Sequence, residues 1–233
     1  MAPVLIILLI LLTIAIVAFT WWQREQRKKA LAAWAESRGL YFTAESDYGL
    51  EERFGEFDCL RHGDNRYAYN IMEGSWGGRA MLAFDYHYAT HSTGSRGRRT
   101  THHHYFSAVI LQSSVPLKPL FIRPEGFFDK VTEFFGFDDI DFESAEFSRK
   151  FFVKAPDKRW AYDVIHQRMM EFLLAMPQFT IKFAQGHVIV YRSSMFSTDD
   201  FEAAAEVARG ILDRLSDYLV KEQMETYGRS GGQ

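Results

Sequence analysis

The sequence predicts an α+β fold: an N-terminal transmembrane helix followed by a mainly antiparallel sheet with packed helices and a long C-terminal amphipathic helix. Three observations carry this expectation. Residues 3–22, PVLIILLILLTIAIVAFTWW, are an unbroken apolar run, while all 27 Lys and Arg and all 30 Asp and Glu fall at or beyond Arg24. Short aromatic and β-branched runs separated by Gly, Asp, Asn and Ser fill the middle third. Amphipathic helical stretches follow the strands rather than alternate with them, the order of an α+β domain.

The apolar run has 20 residues, and a helix of that length just spans a hydrocarbon core of about 30 Å. A cleaved secretory signal would need a basic start, a shorter apolar core and a small-x-small cleavage site. Met1-Ala2-Pro3 has no basic side chain and no Ala-x-Ala precedes Trp21, so the segment reads as an uncleaved anchor. Trp21 and Trp22 fall at headgroup level, where an indole keeps its ring in the apolar zone and its N–H in the wet one. Arg24, Arg27, Lys28 and Lys29 follow as a membrane-interface cluster. The positive-inside rule then puts the N-terminus outside the plasma membrane and the C-terminal domain in the cytoplasm. The first expected partner is the lipid bilayer, through the N-terminal helix; anionic lipid and a membrane protein are the others. Basic residues near an anionic surface each contribute about 1 kcal/mol.

Residues 23–40, QREQRKKALAAWAESRGL, are rich in helix formers and stop at Gly39, which predicts a juxtamembrane helix acting as a short stalk. The domain is expected over 41–222. Residues 57–61, 66–72, 80–88, 105–111 and 117–122 read as strands. In the third, Leu82, Phe84, Tyr86 and Tyr88 alternate with Met81, Ala83, Asp85 and His87, the pattern of a strand with one buried face. Turn formers between Tyr88 and Tyr105 predict a long exposed hairpin tip. Beyond it, 126–135 reads as a helix and 145–153 as a strand. Asp157 is placed to cap one helix running to Met176. Residues 179–183 and 187–191 read as a hairpin around Ala184-Gln185-Gly186. Ser197 is placed to cap a long helix through Leu219, and 223–233 is expected to be a disordered tail. A run of strands closed by a C-terminal helix is also the outline of pleckstrin-homology-like domains, an analogy of fold alone.

A net charge of −3 and a pI near 6.2 argue against a nucleic-acid partner. Cys59, the lone cysteine, has no partner for an intrachain disulfide, which fits a reducing compartment. No cofactor motif is present, and Gly74-Ser75-Trp76-Gly77-Gly78 reads as a turn between strands, not as a phosphate loop.

The residues with the most chemistry lie around the hairpin. If His91 opposes His102, then His87, His91, His102 and His104 share one face and can offer imidazole nitrogens to Zn²⁺, Ni²⁺ or Cu²⁺; a neighbouring register brings His103 to that face instead. The plainer reading is a solvated polar face. Arg96, Arg98 and Arg99 at the tip can clamp a phosphate or an anionic lipid, or simply keep the tip soluble. Asp138, Asp139, Asp141, Glu143 and Glu146 alternate with Ile140 and Phe142 as an edge strand would. His166 reads as a surface residue near Tyr162 and Glu171.

The segments AMLAFDYHY (80–88), Arg123-Pro124-Glu125, DIDFESAEFSRKFFV (139–153) and AYDVIHQRMMEFLL (161–174) together resemble a group of uncharacterised bacterial single-pass membrane-anchored proteins carrying a domain of unknown function. The likeness covers most of 30–222 and departs at Gln167, where the group has Pro. It implies an anchor plus an α+β domain, and no catalytic residue. Two functions stand as expectations: a cytoplasmic module that binds a protein or the lipid surface, and, alternatively, a membrane-attached metal-dependent hydrolase using the hairpin histidines with a carboxylate such as Asp85.

Overall fold

The computed structural model describes residues 2–94, 97–126 and 139–230. Helix α1 (Ala2–Ser37) is continuous over 36 residues, a length of about 54 Å at 1.5 Å per residue. Its N-terminal part contains an 18-residue window of mean hydropathy 3.0, none of it buried. Among the described residues it is the one helix long and apolar enough to cross a membrane. The C-terminal part behaves differently. Leu31, Trp34 and Ala35, at i, i+3 and i+4, are all buried, so the expected stalk is in fact docked into the domain core. Trp34 stacks on Trp76 at 6.1 Å and tilts against Phe201 at 6.0 Å. The helix ends in a Schellman motif: Leu40 N–H donates to Ala35 O, Gly39 N–H donates to Glu36 O, and Gly39 takes the left-handed conformation at φ 68° that a glycine adopts without a Cβ clash.

Among the described residues eight strands form one sheet: β1 (Tyr41–Thr43), β2 (Asp64–Trp76), β3 (Arg79–Thr93), β4 (Arg99–Gln112), β5 (Leu120–Pro124), β6 (Phe151–Lys154), β7 (Thr180–Ala184) and β8 (His187–Arg192). Their order is β1-β2-β3-β4-β8-β7-β5-β6, and each described pairing is antiparallel. The turn Gly77-Gly78 joins β2 to β3 with positive φ at both residues, the geometry that matches the strand twist.

The sheet buries both faces. One carries Met81, Ala83, Val109 and Val190 against α1 and α6 (Thr198–Leu212), whose Phe201, Ala204, Ala205 and Ala208 point at it. On the other face, Leu82, Phe84, Tyr86 and Ile110 pack under Leu50 of α2 (Leu50–Arg53) and under Phe57 and Leu60. The one-buried-face expectation for β3 is therefore corrected: alternating residues enter two different cores.

Several predicted elements take another form. Residues 57–61 hold a 3-10 turn, Asp58–Leu60, because Phe57 and Leu60 at i and i+3 both reach the second core and Tyr86 Oη donates to Leu60 O at 2.6 Å. Over 145–153 the chain is first helix α3 (Ala145–Lys150), capped by Ser144 Oγ accepting from Phe147 N–H, and only then β6. The acidic run before it is not a strand: Asp139 Oδ1 accepts from Ile140 N–H and Val153 N–H, and Asp138 lies outside the described residues. The Asp157-capped helix divides into α4 (Lys158–Val164) and α5 (Gln167–Ala175), with His166 in extended conformation between them. Gln167 is thus the first residue of a helix, where a proline is also tolerated. Ser197 caps α6 as expected, and Asp200 returns the bond to the Ser197 backbone as a capping box. Its helix stops at Leu212, and α7 (Asp217–Ser230) covers 223–230 of the expected disordered tail, while 231–233 lie outside the described residues. Two helices between β6 and β7 and a single open sheet also set the fold apart from strands closed by one terminal helix. The helix expected at 126–135 lies outside the described residues beyond Gly126.

Gly63, leading into β2, has φ 70°, and a Cβ there would sit 2.3 Å from Ala89 O, a backbone atom that cannot swing aside. Gly63→Ala is expected to destabilise the domain by about 2 kcal/mol or more, from left-handed strain together with the clash. Thermal unfolding checks this; an unchanged midpoint would contradict the close approach of β2 and β3 there.

Candidate functional site

Where α1 leaves the domain, Arg27 reaches Asp85 on β3, and the contact is polar. Asp85 on β3, 0% exposed, accepts four hydrogen bonds: from Arg27 Nη2 at 2.7 Å and Nε at 3.0 Å, from Asn70 Nδ2 at 2.9 Å, and from Ser107 Oγ at 2.6 Å. Arg27 Nη1 also donates to Phe196 O at 2.8 Å, and Phe196 N–H donates to Ser107 Oγ at 2.9 Å. A buried carboxylate is tolerated when every lone pair is occupied and a countercharge is present, and both conditions hold. Four parts of the chain (α1, β2, the β3–β4 pair and the segment entering α6) are tied at one point. Asn70 reaches Asp85 because the β2–β3 register shifts between Tyr69 and Met72, where Asn70 takes φ 49°. Tyr69 lies beside this hub, and burial followed by the Asp85 charge raises its phenol pKa well above the ordinary value, so it stays neutral.

Next along the same face is a ladder of rings. Tyr67 stacks on His87 at 4.7 Å, His87 stacks on His103 at 5.2 Å, and Tyr105 tilts against His87 at 4.9 Å. His87 is 2% exposed. Its Nδ1 lies 3.0 Å from Asn65 O, and since a carbonyl only accepts, Nδ1 carries the proton. Nε2 of neutral His87 is then an acceptor, and His103 Nδ1–H donates to it at 2.9 Å.

Of the two registers the sequence left open, the structure has the neighbouring one, which brings His103 to the face and removes His102 and His104. Thr90 opposes His102, His91 opposes Thr101, and Tyr88 opposes His104. His87, His91 and His103 therefore share the α1 face, while His102 and His104 lie on the other. His104 stacks on Tyr88 at 4.7 Å and pairs with Thr90 Oγ1 at 2.8 Å; His102 pairs with Ser92 Oγ at 2.9 Å. His91 meets Thr101 Oγ1 at 3.1 Å and Asp64 at 3.5 Å. The set His87, His91, His102 and His104 is split between two faces, and among the described residues no three His, Cys, Asp or Glu side chains are placed to hold a metal ion. The strands also run to Thr93 and restart at Arg99, so the expected long tip shrinks to a short loop on a long two-stranded arm.

Burial lowers the pKa of His87 and of His104, and neighbouring histidines act in the same direction. A depressed folded-state value means that the unfolded chain binds protons first. The associated stability is complete above the unfolded-state value near pH 6.5 and is lost as pH falls through it. Buried or paired carboxylates such as Asp157 and Glu206, also held low, lose their contribution only in the more acidic carboxylate range. The melting temperature is expected to drop between about pH 7.5 and 5.5, and His87→Phe to flatten that drop. An equal slope in the variant would refute the assignment to His87.

The membrane-interface residues divide as well. Trp21, Trp22, Arg24, Lys28 and Lys29 are exposed on α1. Arg27 is corrected: its guanidinium faces Asp85 and not the headgroup zone. Arg98 and Arg99 are exposed, while Arg96 lies outside the described residues. A separate cleft of about 690 Å³, lined by Phe142, Tyr162, His166, Glu171 and Leu174 among others, brings together the three residues His166, Tyr162 and Glu171, although the helix predicted to carry them is broken. His166 Nε2 is 3.1 Å from Arg214 O.

No family model matches the chain, and no curated protein matches it. The fold is similar to a solved one. The crystal structure of the mycobacterial trehalose monomycolate transport factor A, TtfA, superposes with a TM-score of 0.55 over 80% of this chain and 90% of that chain, at 14% sequence identity. At that identity the likeness establishes a shared fold and nothing about ligands.

Sequence reasoning missed the hub. Asn70, Ser107, Tyr67, Tyr69 and Tyr105 carry no motif. The available signal was Asp85 itself, a lone carboxylate within AMLAFDYHY, because a charge inside an apolar strand needs a buried partner.

Proposed function

We propose that this protein is a single-pass membrane-anchored protein whose cytoplasmic domain is a binding module for a protein or lipid surface, held close against the bilayer. The observation that supports it is the continuity of α1: the helix that is apolar and exposed at its start is core at its end, and Arg27–Asp85 and Trp34–Trp76 fasten it without a flexible linker. A helix locked in this way fixes the height and tilt of the domain above the membrane, which a tethered diffusing enzyme does not require. Exposed Arg24, Lys28 and Lys29 favour the plasma-membrane orientation with the domain in the cytoplasm.

A single cysteine at Thr100→Cys, in a Cys59→Ser background, tests the orientation. A membrane-impermeant maleimide is expected to label it only after the cells are permeabilised. Labelling of intact cells would put the domain outside and overturn the reading.

A further inference from the structure

We infer that the β3–β4 hairpin is a second membrane contact, an arm whose outer end binds the anionic phospholipid headgroups of the bilayer that holds α1. This rests on the proposal above that α1 spans a membrane.

The first support is direction. Trp34 meets Trp76, which pairs with Arg79 at the start of β3. Arg27, seven residues nearer the apolar end of α1, meets Asp85, six residues further along β3. As α1 is followed towards the membrane its partners move towards the hairpin tip, so both lie at the same end of the domain. Seven helical residues rise about 10 Å and six strand residues about 20 Å, a difference within the reach of the long Trp34 and Arg27 side chains, so helix and strand advance in the same direction. From Asp85 to Thr93 the strand extends about 26 Å, and from Arg27 to Trp22 the helix rises about 8 Å, so the tip passes the level of Trp22 at any inclination below about 70°.

The second support is charge. No Asp or Glu occurs between Asp85 and Glu125, the longest acid-free stretch after Arg24 in a chain of net charge −3. Over the same stretch come Arg98, Arg99 and five histidines. On the part of the two strands beyond Asp85, Asp64, beside His91, is the one carboxylate that the described ion pairs place against the arm. Arg98 and Arg99 are exposed, as are Arg24, Lys28 and Lys29, so the two basic groups face the same layer from separate supports. The arm is also preorganised. Thirteen paired positions from Met81↔Leu111 to Thr93↔Arg99 run without a bulge, and the hydroxyls of Thr90, Ser92 and Thr101 each tie an imidazole across the ribbon. A stiff, cationic, acid-free ribbon aimed at a bilayer fits a layer of phosphate charges.

The test uses the full chain reconstituted in phosphatidylcholine vesicles, with or without phosphatidylglycerol. A fluorophore on Thr100→Cys (Cys59→Ser background) reports access to acrylamide, a neutral quencher. Hydrogen exchange of the unsubstituted chain reports protection of α1 and of residues 97–103 independently of the substitutions. The expected result is a fall in quenching of about twofold or more when phosphatidylglycerol is present, reversed by high salt and by Arg98→Glu with Arg99→Glu. Equal quenching in both vesicle types, with α1 protected, overturns this inference alone and points the arm towards a protein. An unprotected α1 overturns the anchor, and the inference with it.

Discussion

Replacing Arg27 with alanine is expected to lower the stability of the domain by about 3 kcal/mol, more than any other exposed-side substitution on α1. Asp85 would keep Asn70 and Ser107 but lose both guanidinium bonds and, among the described residues, its one countercharge, in a position with no access to water. Breaking a buried pair costs about 3–5 kcal/mol, and Arg27 is itself 27% exposed, which places the value at the lower end. For a chain of this size that corresponds to a fall in Tm of about 6–12 °C. Arg27→Lys should fall between, because an ammonium restores the charge without the two-pronged geometry or the third bond to Phe196 O. Arg27→Met combined with Asp85→Leu should recover part of the loss, since no charge then remains buried. Thermal unfolding of the full chain in detergent measures all three; a midpoint for Arg27→Ala within a degree or so of the parent would mean that the hub does not hold α1.

Trp34→Ala should cost about 3–5 kcal/mol. The indole is 9% exposed, lies between Trp76 and Phe201, and connects the helix to both β2 and α6. Its Nε1 has no hydrogen-bond partner among the described residues, so the loss is one of packing, with no polar term to offset it. Trp34→Phe should cost less, because a ring still fills most of the space. The readout that separates undocking from general instability is hydrogen exchange at residues 23–40. It should rise in Trp34→Ala under conditions where β7 and β8 remain protected. Uniform loss of protection across the domain would instead show that α1 and the sheet unfold as one unit.

The legible parts of this protein were those in which one segment suffices. Twenty apolar residues give the long helix wherever they are placed, and Ser197 with Asp200 closes a capping box by spacing alone. The hairpin of β7 and β8 followed in the same way from alternation and a Gly-containing turn. Helix interruptions were less legible, because the apolar stripe of Asp157–Met176 continues through the break while the backbone at His166 does not. Residues 57–61 have strand composition, yet Phe57 and Leu60 find one core by turning instead of extending.

The site was legible as a list of residues and illegible as an arrangement. Register is the reason: His102 opposite Thr90 instead of His91 sends two histidines to each side, since neighbouring strand residues alternate faces. A segment's own composition determined that this chain has a long apolar helix, a basic collar after it, and an α+β domain, because hydropathy and periodicity are local properties. The tertiary structure alone decided that Arg27 leaves that collar for Asp85 and that the β3–β4 arm lies at the same end of the domain as the apolar helix. Both depend on where segments 58 residues apart are brought together, and only packing of the whole chain sets that.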